Sequence, residues 1–268
     1  MRLRSILIIP AGGELDEALA SEADAIAVTL ADAGHRVEDL RQGAAFALPR
    51  IRERGKKALV VVNHPRTQLL RSDLEAVVST NLDAVLMPHT VEPQDVRDLA
   101  VGLREFEYDR DIEPGTVRAF PVIDTARGLL RAPEIAQAVP RIAGLVFGSR
   151  GYAEDVGARH EEAGARLSYA RGAVVAAARA FDGLPLLESE GLELTQAAQQ
   201  GFAGVLLTNP RYAQQANAVF TPSAAQRDRA RARLEAYEHR GEGAWVARYG
   251  EGVVDAQSAR KARQLLEE

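Results

Sequence analysis

The side chains best suited to chemistry lie a few residues beyond short apolar runs of the sequence. Asp32, Asp124 and Arg150 each have this position, and we predict that they are catalytic. A carboxylate can hold a divalent cation or transfer a proton, whereas a guanidinium can bind a substrate carboxylate through two parallel hydrogen bonds. We expect further polar residues in equivalent positions to contact the substrate: Asn63, Arg66, His89, Arg127, Glu188 and Asn209.

The same residues also have structural interpretations that the sequence leaves open. Asp124-Thr125 could cap a following helix, and His64, which precedes a proline, could be an exposed loop residue. Asn209-Pro210 could be no more than a helix start, with proline at the first helical position. The sequence contains no P-loop, G-x-G-x-x-G, G-x-S-x-G or H-E-x-x-H motif that would decide between these interpretations.

Eight apolar runs recur along the chain, and the segments between them have helical spacing. Consecutive apolar residues are typical of strands that are buried on both faces of a parallel sheet. Strand–helix alternation repeated eight times predicts a (β/α)8 TIM barrel over residues 1–222, with an open doubly wound sheet as the alternative. A barrel would bring the candidate residues to the mouth at the carboxyl ends of its strands. The runs are Ser5–Pro10, Asp24–Thr29, Ala58–Val62, Ala84–Met87, Ala119–Ile123, Gly144–Phe147, Pro185–Leu187 and Gly204–Leu207.

Residues 223–268 do not continue the strand–helix alternation and are predicted to form a C-terminal extension. Ser223 and Gln226 have the spacing of a helix capping box, which predicts a helix to about His239. The glycine-rich and aromatic stretch over 241–252 favours a hairpin, and a last helix is expected over about Ala256–Leu266. We expect this extension to pack on the barrel or on a neighbouring subunit.

Composition narrows the classes of function. The chain has 268 residues and no cysteine, which excludes disulfides, zinc thiolates, iron–sulfur clusters and a cysteine nucleophile. Its formal net charge of −5 argues against nucleic acid as a partner. The apolar stretch Ile6–Ile9 is too short for a signal peptide or a membrane span, so we expect a cytoplasmic protein with no membrane partner.

Several segments resemble the citrate lyase beta-subunit-like (HpcH/HpaI aldolase) family in their order and spacing. Ile123–Gly128 is similar to the fifth-strand motif of that family, and Gly148–Gly157 is similar to its sixth-strand loop. Gly252–Asp255 is similar to the family's hairpin motif. Further similar segments extend the resemblance over nearly the whole chain: Arg4–Pro10, Gly201–Gly204, Asn209-Pro210 and Val219–Ser223.

The resemblance implies a (β/α)8 barrel, commonly a homo-oligomer of three or six copies. It implies an enzyme that cleaves or forms C–C bonds in a small oxo-acid or an acyl-thioester with a bound Mg²⁺, which stabilises the enolate. The family holds this ion with the glutamate of the fifth-strand motif and an aspartate of the sixth-strand loop. On this chain Asp124 takes the place of the glutamate, and we name Asp124 and Asp155 as the candidate metal ligands, with Asp32 or Glu188 as alternative partners of Asp124.

The chain departs from the family at the residues that carry the chemistry. The fifth-strand glutamate is Asp124, whose carboxylate is retracted by roughly 1.5 Å. The sixth-strand aspartate is Gly151, which has no ligand atom, and the third-strand arginine is Val61 although Asn63 remains. These losses make Mg²⁺ a doubtful cofactor for this chain.

Other departures concern substrate and thioester binding. The fourth-strand lysine corresponds to His89, and Asp32 alone survives from the second-strand acidic cluster. The first loop, Ala11–Glu14, lacks the arginines that contact the nucleotide of the thioester in relatives. Two functions stay open at this point: a C–C lyase or aldolase with an altered site, in which Arg150 supplies positive charge, and an inactive family member that serves as a binding or structural subunit.

Overall fold

Eight parallel strands close into a barrel in the computed structural model, which describes residues 2–31, 36–158, 167–189, 193–241 and 243–267. The strands follow one another around the barrel in chain order, and the first pairs with the eighth. All eight predicted strands and the predicted closure are therefore confirmed. The strands are β1 (Ser5–Pro10), β2 (Ala25–Thr29), β3 (Lys57–Val61), β4 (Ala84–Met87), β5 (Arg118–Ile123), β6 (Gly144–Phe147), β7 (Leu184–Glu188) and β8 (Gly204–Leu207).

Helices connect successive strands, as the periodicity predicts. The long helix after β4 buries Val96, Leu99, Leu103 and Phe106, which recur at three- and four-residue spacing and so form one face. Short 3-10 turns at Pro65–Thr67 and Pro210–Tyr212 follow β3 and β8. The helices up to Val219 are α1 (Leu15–Ala20), α2 (Val37–Glu53), α3 (Leu70–Val77), α4 (Pro93–Asp109), α5 (Ala126–Leu130), α6 (Ala132–Ala136), α7 (Ser149–Asp155), α8 (Ser168–Ala180), α9 (Leu194–Gln199) and α10 (Ala213–Val219).

The barrel interior is filled by apolar side chains from alternate strand positions. This cluster includes Ile6, Leu59, Phe120 and Leu206, each almost completely removed from solvent. Burial of one such aliphatic or aromatic side chain stabilises the fold by about 1.5–3 kcal/mol. Val61, at the position of the family's third-strand arginine, belongs to the same cluster. The interior near the end of β3 is therefore packed and apolar rather than charged.

Two ion pairs fix the connections at the opposite end of the barrel. Arg4 donates to Asp24 from both its backbone N–H and its guanidinium, with the closest contact at 2.6 Å. Arg141 forms a two-point pair with buried Glu107, at 3.1 and 2.9 Å. Glu107 also accepts from the backbone N–H of Val117. In barrels of this kind, polar clusters at the amino ends of the strands serve stability.

The contacts divide the chain into two compact units, Leu3–Ala218 and Val219–Glu268 with Met1–Arg2. The second unit contains α11 (Ala224–Glu238), an antiparallel hairpin of β9 (Val246–Tyr249) and β10 (Gly252–Asp255), and α12 (Ala256–Glu267).

The predicted capping box is present at the start of α11. Ser223 Oγ accepts from Gln226 N–H at 3.2 Å, and Gln226 Oε1 accepts from Ser223 N–H at 2.7 Å. The predicted hairpin and the last helix are also present. In the described part of the chain, none of the helices has the length and apolar character that crossing a membrane requires.

Candidate functional site

Asp124 and His89 form a carboxylate–imidazole pair at the carboxyl ends of β5 and β4. His89 Nδ1 lies 3.0 Å from Asp124 Oδ2, and the same oxygen accepts from the backbone N–H of His89 at 3.0 Å. The Asp124 side chain is only 8% exposed, whereas the His89 side chain is 72% exposed. A buried carboxylate therefore holds an imidazole whose far edge faces solvent.

The second oxygen of Asp124 is not satisfied. Oδ1 is buried and accepts no hydrogen bond from any described residue. Burial raises the pKa of Asp124 above its ordinary value, although the neighbouring His89 opposes this rise. Buried polar atoms without partners are rare in folded proteins and call for a functional or structural explanation.

His89 has a backbone conformation that is unusual for a residue with a side chain. Its φ of +56° lies in the left-handed region, which only a few per cent of non-glycine residues adopt, histidine more often than most. Such strain persists where the surrounding structure enforces it, and it occurs often at active sites. Here the backbone N–H and the imidazole of His89 both contact the same Asp124 oxygen, which explains what enforces it.

Two glycines of the sixth-strand loop pack directly against Asp124. A Cβ atom on Gly148 would lie 2.7 Å from Asp124 Cβ, and a Cβ atom on Gly151 would lie 3.1 Å from it. Contacts this short require neighbouring atoms to move. Gly151, which replaces the family's second metal ligand, thus fills a place where a side chain has little room.

The described residues do not fit a Mg²⁺ centre. Asp124 offers one uncommitted oxygen, while Asp155 Oδ2 accepts from Ala126 N–H at 2.7 Å. Among the described residues, no three His, Asp or Glu side chains converge as ligands of a metal ion. Magnesium is usually held by one or two carboxylates together with water and substrate oxygens, so the described residues retain only one of the two carboxylate positions that the family uses.

The structure places Asn63 in a structural network. Asn63 donates from its backbone and side-chain nitrogens to Asp73 Oδ2, at 2.9 and 2.8 Å. Arg41 Nε donates to the other oxygen of Asp73 at 2.9 Å. Asp73 is completely buried and both its oxygens are satisfied, so this network holds α3 and α2 to the end of β3.

Arg66 and Arg127 converge on Glu92, a residue that the sequence did not single out. Together with Arg131 and Asp95 they form what we call the Glu92 cluster. The distances from Glu92 to the three arginines are 2.5 Å for Arg66, 3.4 Å for Arg127 and 3.2 Å for Arg131. Arg66 also lies 3.2 Å from Asp95 Oδ1. The only signal in the sequence is Glu92 before Pro93, a helix-start pattern that says nothing about the arginines.

Arg150 and Glu188 lie close to each other at the ends of β6 and β7. Their charged groups are 3.7 Å apart, and the Arg150 side chain is largely exposed. Ser149 Oγ donates to the backbone carbonyl of Glu188 at 3.1 Å, which ties the two loops together. Asp32 lies outside the described residues, so its predicted place at the mouth stays a prediction.

The structural interpretations of three residues can now be compared with their contacts. Thr125 caps α5, because its Oγ1 accepts from Gly128 N–H at 3.0 Å, and Asp124 does not. Asn209 Oδ1 accepts from Arg211 N–H, so it caps a 3-10 turn. His64 is not an exposed loop residue, because its side chain is only 10% exposed and lies 3.4 Å from the Asp95 carboxylate.

Comparisons with known proteins agree with this barrel. Residues 14–208 match the HpcH/HpaI aldolase/citrate lyase family. The chain is 31% identical to a (3S)-malyl-CoA thioesterase of Cereibacter sphaeroides, covering 94% of this chain and 86% of that protein. It is also 31% identical to the citrate lyase subunit beta of Escherichia coli strain K12, covering 94% and 85% of the two chains.

Solved structures show the same fold. A citrate lyase from Burkholderia xenovorans superposes with a TM-score of 0.77 at 16% identity, covering 100% of this chain and 91% of that one. The citrate lyase beta subunit of M. tuberculosis, complexed with oxaloacetate and magnesium, has a TM-score of 0.65 at 23% identity and covers 82% of this chain and 98% of that one.

The fold and the matches together define the class of the protein. It is a closed (β/α)8 barrel with titratable side chains at the carboxyl ends of its strands. The chain belongs to the HpcH/HpaI aldolase/citrate lyase family.

Proposed function

We propose that this chain is an active family member that transfers a proton through the Asp124–His89 pair. Its substrate would be a small oxo- or hydroxy-acid, free or as an acyl-thioester. The observation that carries this proposal is the contact between a buried, incompletely satisfied carboxylate and an exposed imidazole. Such a carboxylate fixes the orientation and tautomer of the ring.

The pair can start either reaction suggested by the names of the relatives. With Nδ1–H directed at Asp124, His89 Nε2 carries a lone pair that can accept a proton. Removal of a proton from a β-hydroxyl group lets its O–H electrons form a carbonyl while the adjacent C–C bond breaks, which leaves an enolate. Removal of a proton from water instead generates the nucleophile for thioester hydrolysis.

Arg150 is suited to hold a negatively charged part of the substrate at the same mouth. Its guanidinium is largely exposed and lies 3.7 Å from Glu188, a separation too long for a tight hydrogen bond. A guanidinium binds carboxylates in two-point geometry and needs no metal for this. Glu188 would then orient Arg150 rather than neutralise it.

Turnover in the presence of a chelator tests this proposal. Purified protein would be incubated with (3S)-malyl-CoA and citrate, each with and without EDTA, and products would be followed by chromatography. We expect turnover of at least one compound that persists in EDTA and is lost in His89→Ala. Turnover that EDTA abolishes would contradict a metal-free reaction and indicate Mg²⁺ as the cofactor, and turnover that His89→Ala retains would contradict the proton-transfer role.

The alternative is an inactive family member that serves as a binding or structural subunit. The replacement of a family metal ligand by Gly151 is the observation in its favour. It predicts no turnover of either compound, in EDTA or in Mg²⁺.

The family also suggests a homo-oligomer of three or six copies in the cytoplasm. Sedimentation velocity of the full chain at several concentrations would test the assembly. A single species at 29.0 kDa would contradict it.

A further inference from the structure

The Glu92 cluster has more positive charge than its own ion pairs use. Three guanidinium groups face two carboxylates, Glu92 and Asp95. Each guanidinium carries five N–H donors, yet within the described residues each contacts these carboxylates through a single terminal nitrogen. The three side chains are between 41% and 60% exposed, so their remaining donors are open to solvent.

The cluster lies on the same two loops as the Asp124–His89 pair. Glu92 follows His89 by three residues, and Arg127 follows Asp124 by three residues. Three residues span at most about 11 Å between Cα atoms. The loops also touch, because a Cβ atom on Gly128 would lie 2.4 Å from the Thr90 carbonyl oxygen. A ligand that reaches His89 can therefore extend onto the arginines.

The first loop offers an anion a much poorer place. A cavity of about 580 Å³ lies there between the end of β1 and α2, lined in part by Gly13 and Phe46. Its lining also carries the carboxylates Glu14, Asp16 and Glu17. The arginine of this cavity, Arg50, is already paired with Asp16 at 2.6 Å. A phosphate or carboxylate would meet net negative charge at this cavity.

We propose that the Glu92 cluster is a subsite for an oxyanion, either a phosphate or a carboxylate. Arg127 and Arg131 would bind it with Arg66, and Glu92 would hold the three guanidinium groups together when the subsite is empty. Arginine is well matched to this task because its planar donors fit both oxyanions. The role of the bound group as part of a substrate rests on the proposed function, whereas the binding itself does not.

Calorimetric titration of the full chain tests the subsite with two probes, 3′,5′-ADP for phosphate and malate for carboxylate. In Arg127→Gln/Arg131→Gln we expect at least one probe to bind about tenfold more weakly, the loss expected for one charge-assisted hydrogen bond. In Glu92→Gln we expect tighter binding, because the internal competitor loses its charge. The matched control is Arg54→Gln/Arg104→Gln, which removes two exposed arginines elsewhere and should leave binding within about twofold of wild type.

The two probes identify the source of the oxyanion. An effect confined to 3′,5′-ADP assigns the subsite to the nucleotide of a thioester, and one confined to malate assigns it to a substrate carboxylate. Unchanged binding of both probes in the arginine double variant and in Glu92→Gln would overturn the proposal. If the double variant does not fold, Glu92→Gln decides alone, because loss of structure cannot tighten binding.

The Asp124→Asn variant separates this proposal from the proposed function. It should bind 3′,5′-ADP as wild type does, because this probe has no hydroxy-acid group for the Asp124–His89 pair and Asp124 is outside the cluster. A wild-type protein that shows arginine-dependent binding but turns over none of the test compounds would support the subsite and contradict the proposed function. Turnover by the wild-type protein, combined with binding that the arginine and Glu92 substitutions leave unchanged, would support the proposed function and contradict the subsite.

Discussion

Two buried carboxylates at the same end of the barrel, Asp73 and Asp124, differ in how completely their oxygens are hydrogen-bonded. Asp73 is completely buried, and each of its oxygens accepts from a neighbouring side chain or backbone group of Asn63 or Arg41. Asp124 is almost as buried, but one oxygen receives both of its contacts from His89 and the other receives none from a described residue. The Asp73 carboxylate therefore has no oxygen without a hydrogen bond, whereas Asp124 has one that could accept a hydrogen bond from a ligand.

This difference separates a structural cluster from a functional one. A completely satisfied buried network rigidifies the fold, while an unsatisfied buried atom costs free energy that some other requirement must justify. The strained backbone of His89 adds to the cost of the second site. We infer that the Asn63–Asp73–Arg41 network serves stability and that the Asp124–His89 pair serves chemistry.

The largest expected effect follows from removal of the imidazole. His89→Ala should lower kcat by about 10²- to 10⁴-fold, the contribution typical of a positioned general base. Its free energy of unfolding should fall by no more than about 1–3 kcal/mol, because buried Asp124 loses the imidazole but keeps the backbone N–H of His89. Steady-state kinetics combined with thermal unfolding measures both, and a stable variant with nearly full activity would remove His89 from the mechanism.

Removal of a hydrogen-bond donor from the Asn63–Asp73–Arg41 network should instead lower stability and leave catalysis nearly unchanged. Asn63→Ala leaves Asp73 without one side-chain donor, and we expect a loss of about 1–3 kcal/mol in the free energy of unfolding. Its kcat should change little, because Asn63 is turned toward Asp73. Urea unfolding and kinetics test this, and a large loss of kcat at unchanged stability would restore Asn63 as a substrate-binding residue.

A comparison of two helical glycines tests how tightly the sixth-strand loop packs on Asp124. Gly151 lies against Asp124, and Gly172 is the control in open space. Gly172→Ala in α8 should stabilise the protein by about 0.5–1 kcal/mol, because a Cβ atom there meets nothing and alanine favours helix. Gly151→Ala in α7 should instead destabilise it, by about 1–3 kcal/mol, because its Cβ atom would crowd Asp124. Equal stabilisation by both substitutions would show that there is room for a ligand side chain at Gly151.

The smallest expected effect is a pH-dependent gain in stability on removing the Asp124 charge. Burial raises the folded-state pKa of Asp124, so the folded protein binds this proton more readily than the unfolded chain. The contribution of the group to stability therefore falls as pH rises from its ordinary pKa of 3.8 through the raised value.

Asp124→Asn cannot titrate, and its melting temperature should exceed that of wild type at neutral pH. A gain of about 2–4 °C would correspond to about 1 kcal/mol, and it should shrink toward acid pH. The matched control is Asp16→Asn, an exposed carboxylate whose loss should have little effect at any pH. A gain of Asp124→Asn that grows toward acid pH would contradict the raised pKa.

The fold could be predicted from the sequence because local patterns determine it. Eight apolar runs became eight strands, and the Ser223–Gln226 spacing became a capping box. Local signals of this kind depend on residues that are neighbours in the chain.

The site could be predicted only in part, because its hydrogen bonds and ion pairs join loops that are far apart in the chain. Asp124 was identified from its place after a strand, but its contact with His89 joins two strands that are 35 residues apart in the chain. The role of Asn63 depends on Asp73, a helical residue whose burial no periodic pattern indicated. Glu92 and Arg131 were missed because each has an ordinary place at a helix end, and only the fold brings the arginines together.

The protonation state of His89 tests the central claim most directly. The chain has five histidines, so the nitrogen resonances of each ring can be assigned by NMR with single substitutions. In EDTA we predict that His89 carries its proton on Nδ1, hydrogen-bonded to Asp124, that Asp124→Asn disrupts this signal, and that added Mn²⁺ does not broaden it. A proton on Nε2 in the wild-type protein, or selective broadening of His89 by Mn²⁺, would contradict an acid–base pair at this mouth.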